Sequence, residues 1–101
     1  MANDEKYNGY NNYETWLVAL WIDNDEYRQC EARRIARREP SLAHLSDALK
    51  EWVESWDEVY TACDVASIVA DLINAALSEV DWYELAEMYA KEVEEEEDTE
   101  D

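Results

Sequence analysis

A chain of 101 residues is sized for one domain and one core. Its 27 acidic residues against 8 basic ones give a formal net charge of −19, a balance that repels nucleic acid and anionic membrane and attracts basic partners. The longest uninterrupted apolar run, Trp16 to Ile22, is seven residues, far short of the roughly 20 needed to span a bilayer.

The charge is uneven. Residues 1–40 carry eight acids and six bases, residues 41–101 nineteen acids and two bases. Five early bases, Arg28, Arg33, Arg34, Arg37 and Arg38, sit in one segment, where they are placed to neutralise Glu26, Glu31, Glu39 or the acidic half. Cys30 and Cys63 form no Cys-x-x-Cys pair, and no secretory signal precedes them, so reduced thiols in the cytoplasm are expected, the host cytoplasm for a phage-encoded chain.

In chain order, residues 1–11 read as a flexible polar arm, 12–93 as a single helical domain and 94–101 as an acidic tail. The first helix is predicted to start at the N-cap Asn12 and run through Tyr13, Trp16, Leu17, Leu20 and Trp21. The polar break Asp23-Asn24-Asp25 opens a second helix reaching about Arg38, with a thin stripe of Tyr27, Cys30 or Ile35, and Ala32. After Pro40 and Ser41, the spacing of Leu45, Leu49, Trp52, Val53 and Trp56 predicts an amphipathic third helix. Val65, Ile68, Val69, Leu72, Ile73 and Ala76 make a fourth, apolar around most of its circumference and therefore expected at the centre of the fold. Asp81 and Glu84 resemble a capping box, and Trp82, Leu85, Ala86, Tyr89 and Val93 supply the inner face of a fifth helix. Seven acids in the eight positions 94–101 predict a frayed end. No strand-length stretch alternates with period two, so the expected fold is all-α: a compact bundle of four to five short helices with an acidic C-terminal tail.

Catalysis finds little to work with, and no enzyme is expected. His44 is the only imidazole, without a nucleophile elbow or a cysteine signature, and it reads as a surface or helix-start residue. One glycine cannot build a phosphate loop or a dinucleotide fingerprint, and no calcium loop is present. No catalytic, cofactor or metal site is predicted.

What remains are carboxylates in rows. Asp47, Glu51, Glu54 and Glu58, spaced four, three and four, are predicted to line one face of the third helix with Asp57 beside them. Glu84, Glu87, Glu92 and Glu94 lie outside the apolar stripe of the last helix, and Asp64 and Asp71 flank the fourth. Duplex DNA carries one phosphate charge per about 1.7 Å of axis, and rows of fixed carboxylates can imitate it. The favoured reading is a DNA mimic that occupies the basic groove of a DNA- or RNA-binding host defence nuclease, with no direct nucleic-acid contact and a homodimer left open. The alternative is an adaptor or structural module whose contact surface is Tyr7, Tyr10, Tyr13, Trp16 and Trp21, the acids serving solubility or adaptation to a saline cytoplasm. Three lysines fit that adaptation, whereas the crowding of acids into residues 41–101 and the 17 Glu against 10 Asp fit it less well.

The stretch from Asn12 to Asp25 (NYETWLVALWIDND), with Leu49–Glu54 (LKEWVE) and Asn74–Trp82 (NAALSEVDW), resembles a family of small proteins of unassigned function in phages, plasmids and archaea. That resemblance implies a mobile-element setting. The acidic helices and the ending from Tyr89 to Asp98 (YAKEVEEEED) are similar in style to the Ocr-type DNA mimics of phages, helical dimers that block restriction enzymes. This second likeness implies anti-restriction or anti-CRISPR activity, while the arginine segment departs from it.

Overall fold

Each of the main helices starts where a short polar side chain can satisfy a free backbone N–H. In the computed structural model, which describes residues 7–99 with side chains to residue 96, α1 spans Tyr13–Asp23 and is capped by Asn12, whose side chain accepts from the Thr15 N–H. Asp25 caps α2 (Glu26–Arg38), Ser41 caps α3 (Leu42–Glu54) and Ser67 caps α5 (Ile68–Glu79). Asp81 accepts from the Glu84 N–H at 3.0 Å and so caps α6 (Trp82–Thr99). Between α3 and α5 lies a sixth element, the seven-residue α4 (Asp57–Cys63), which has no side-chain cap and buries no residue fully. The helical content matches the expected class. The number of helices exceeds it, because the chain turns at Ser55–Trp56 with neither Gly nor Pro to announce it.

The core is built on α6. Leu85, Ala86 and Tyr89 are buried against Leu45 and Leu49 of α3, Ala32 and Ile35 of α2, and Ala19 and Ile22 of α1. At about 0.8 kcal/mol per buried methylene, these long aliphatic and aromatic side chains supply most of the driving force for folding. The phase of α1 differs from the predicted one. Thr15, Ala19 and Ile22 face inward, while Tyr13 and Trp21 are exposed. A helix apolar on nearly every side has no face of its own choosing, so its partners set the rotation.

The larger correction concerns α5. Expected at the centre, it packs mainly on α4 and α1 and, among the described residues, buries just Ala70 and Leu77. Ile68 is 74% exposed, Leu72 63% and Val69 51%, and Val65, in the loop before them, is 68% exposed. The central place is taken by α6, whose inner face offers a longer row of large side chains than the two inward residues of α5.

Regular backbone structure extends into the described parts of the stretches expected as arm and tail. Tyr7 and Tyr10 exchange backbone hydrogen bonds of 2.7 and 2.8 Å across a turn made by Asn8 (φ 50°) and Gly9 (φ 91°), the left-handed pair a tight hairpin turn requires. At the other end α6 continues to Thr99, through most of the stretch expected to fray. Calls on residues 1–6 and 100–101 fall outside the described residues. Among the described residues, no helix is long and apolar enough to cross a membrane.

Two of the sequence's most distinctive segments meet in space. Thr15, fully buried, accepts the Asp81 N–H on its hydroxyl at 2.8 Å and donates to Asn12 Oδ1 at 2.6 Å. Asn12 Nδ2 donates to the Glu79 carbonyl, and Asn11 Nδ2 to Asp81 Oδ2, both at 2.6 Å. The start of α1 is thereby clasped to the α5–α6 turn, and the Asn-Tyr-Glu-Thr stretch has a structural task. The capping box expected at Asp81 forms only by half, because Thr15 takes the Asp81 N–H while Glu84 accepts from the Asn11 N–H at 3.0 Å.

Candidate acidic interface

The carboxylates divide into two groups according to whether an arginine reaches them. The five arginines of α2 are all engaged, as the charge pattern predicted, although Glu26 is not one of their partners. Arg28 pairs with Glu58 at 2.7 Å, Arg33 with Glu92 at 3.3 Å, Arg37 with Glu96 at 2.7 Å, Arg34 with Glu31, and Arg38 with Glu39 at 3.1 Å. Arg33 also reaches Glu96 at 3.8 Å, so α6 is laced along α2 from Glu92 onward. The Arg28 guanidinium lies 3.7 Å from the centroid of the Trp56 ring, which in turn meets Trp52 edge-on. The hydrogen bond from Arg28 holds the Glu58 carboxyl below its usual range, and Arg34 does the same for Glu31.

This seam redraws the predicted row. Glu58 does not extend the α3 ridge: the chain breaks after Glu54, and Glu58 stands on α4 facing Arg28. Glu92 belongs to the α2–α6 seam, and Glu84 is occupied by the Asn11 backbone. Asp64 is the C-cap residue of α4, and Asp71 lies in the first turn of α5.

Asp47, Glu51 and Glu54 are exposed on α3, opposite its buried Leu45, Leu49 and Val53. Asp57 is exposed in the first turn of α4, and Glu87 and Glu94 on the outer side of α6. Among the described residues, no lysine or arginine pairs with any of these six. Asp47 and Glu51 also border a groove of about 580 Å³ between α2 and α3, lined in addition by Glu31, Arg38, Glu39, His44 and Trp52. Four carboxylates from two elements thus share one depression, two of them without a cation. His44 sits in the first turn of α3 beside its cap, with Nδ1 2.7 Å from Ser41 Oγ. Among the described residues, no group of three His, Cys, Asp or Glu is arranged to hold a metal ion, and Cys30 and Cys63 are free thiols.

The five aromatic residues of the alternative surface separate. Tyr7, Tyr13 and Trp16 form one cluster with ring centroids 4.9–5.6 Å apart. Tyr10 packs against the core, its hydroxyl 3.3 Å from Met88 Sδ. Trp21 borders a different, apolar cavity of about 240 Å³ with Leu17, Val18, Val53, Trp56, Val59 and Leu77.

No curated protein and no solved structure matches this chain. A protein-family description, "Family of unknown function (DUF7249)", matches residues 3–100, and the chain belongs to that family.

Proposed function

We propose that this protein is an acidic DNA mimic which occupies the nucleic-acid groove of a host defence nuclease, a restriction enzyme or a CRISPR effector complex. The observation that carries the reading is the open row Asp47, Glu51 and Glu54, two of whose members border a groove with two further carboxylates. At about 1.5 Å rise per residue, acids three and four apart stand some 4.5–6 Å apart along the axis. Such a row is sparser than duplex phosphate, at one charge per about 1.7 Å, and Glu31 and Glu39 across the groove add to it only in part, since Arg34 and Arg38 pair with them. Lysines and arginines that normally meet phosphates would be steered to this surface and would enter the groove as charged side chains. The mechanism is competition for the groove, with no chemical step.

An unpaired row is also costly to its own helix, since like charges at i,i+4 repel by about 0.2–0.5 kcal/mol. Arginines are available in this chain, and among the described residues they are spent on carboxylates of α2, α4 and α6 and at the end of α2, none on the α3 row. That allocation favours a partner surface over general solubility. The Tyr7–Tyr13–Trp16 cluster supports the alternative, an adaptor that uses its aromatic end.

The test is displacement of a labelled DNA duplex from purified restriction enzymes and CRISPR effector complexes. Displacement at low salt is the expected result, together with direct binding to the DNA-free nuclease that weakens steeply as salt is raised. Binding that hardly changes between low and high salt would show that charge competition is the wrong mechanism.

A further inference from the structure

Among the described residues, nothing covers the apolar face of α5, and its pattern is regular. Val65, Ile68, Leu72 and Ala76 recur at spacings of three, four and four, with Val69 and Ala75 beside them, and all six are exposed. From Val65 to Ser78 there is one ionisable residue, Asp71, in a chain that is 35% charged. We propose that this face is the interface of a homodimer, in which α5 packs antiparallel against α5 of a second copy around a two-fold axis near Leu72.

Three considerations select a second copy as the occupant. Val65, Ile68, Val69 and Leu72 are 51–74% exposed side by side, a contiguous apolar patch of the kind that marks an interaction site. A two-fold pairing needs a self-complementary patch. Centring it on Leu72 sets Ile68 opposite Ala76 of the second copy and Val69 opposite its Ala75, large against small as close helix packing requires. Charge decides the rest. Two bodies of −19 can meet only where each is nearly neutral, and the core of an interface is where charged residues are depleted. A basic partner, by contrast, is drawn to the carboxylates of α3 and gains little from this stripe.

The inference is independent of the proposed inhibition, and salt separates the two. Screening the mutual repulsion of two anionic copies strengthens the dimer, whereas the same salt weakens binding to a basic groove. Sedimentation equilibrium of the full chain, across a wide concentration range at low and high salt, is expected to give a mass of twice 11.9 kDa, with tighter association at high salt. Ile68→Asp, and independently Ala75→Glu, should return the mass to that of one chain with helix content unchanged, while Trp21→Asp leaves the dimer intact. A single-chain mass under every condition would mean that something else covers the face and would overturn the proposal. A dimer that survives both α5 substitutions would overturn it as well, since another surface would then be pairing.

Discussion

Helices α3 and α5 are close to equal in length and both carry enough apolar side chains for a core stripe, yet they end in opposite situations. α3 turns Leu45, Leu49 and Val53 inward and leaves a bare acidic row outside. α5 buries Ala70 and Leu77 and leaves Ile68, Val69 and Leu72 in solvent. Apolar content therefore does not decide burial here; the available partner does. α3 lies against α6, which supplies Leu85 and Tyr89, whereas α5 rests on the short α4 and the edge of α1. The molecule acquires one anionic surface and one neutral apolar surface as a result.

The sharpest contrast is between two leucines. Leu49→Ala should cost about 2–5 kcal/mol, the range for a leucine truncated in a packed core. Leu72→Ala should change the stability of the single chain by less than about 0.5 kcal/mol, as surface substitutions do. Chemical denaturation at concentrations dilute enough to keep chains apart checks both. A large loss at Leu72 would place α5 inside the core after all.

Next in size is Arg28→Ala. It removes the stacking on Trp56, worth about 0.5–2 kcal/mol, together with a partly exposed ion pair to Glu58 that adds at most about 1 kcal/mol. Since Arg28 fastens α4, and α4 carries α5, amide exchange should accelerate in α4 and α5 while α3 and α6 keep their protection. Equal acceleration everywhere would deny that α5 is peripheral.

Smaller effects concern acid. The Glu58 carboxyl is depressed by Arg28, so its contribution is present above the unfolded pKa and lost as pH falls through the folded value. Asp23 has the opposite sign: desolvation beside Tyr89 raises its pKa, outweighing the Tyr89 hydroxyl, which donates to it at 3.2 Å, and Arg33. Its charged form is a cost above the folded pKa, relieved as the group protonates. Acid titration of Glu58→Gln should therefore show a smaller loss of stability on acidification than the parent, and that of Asp23→Asn a larger one. The same shift in both variants would remove the distinction.

Much of this was legible in the sequence because local rules operate where tertiary context cannot override them. Asn12, Asp25, Ser41 and Asp81 mark helix starts by their own hydrogen-bonding chemistry. The α3 stripe and the neutralising role of the arginines followed from spacing and charge. Asn8-Gly9 is a turn signal inside the stretch expected as a polar arm, and the positive φ of both residues is what that pair supplies. The break at Ser55–Trp56 was not legible, since Trp56 continues the apolar spacing of α3, and the reassignment of Glu58 went with it. Nor was the exposure of α5, because an all-round apolar helix reads the same whether the missing partner is its own chain or another molecule. Of the candidate row, Asp47, Glu51 and Glu54 stand as expected, whereas Glu84 and Glu92 are taken by contacts from residues distant in sequence.

The central claim concerns the bare row on α3, and its most direct test is a single variant, Asp47→Asn, Glu51→Gln and Glu54→Gln combined. Relief of like-charge repulsion should make it slightly more stable than the parent, by about 0.2–0.5 kcal/mol per neighbouring pair. In displacement of duplex DNA from a defence nuclease that the parent inhibits, the variant should lose inhibition, and whatever direct binding remains should depend less on salt than the parent's does. A variant that is folded and displaces DNA as well as the parent would contradict the account.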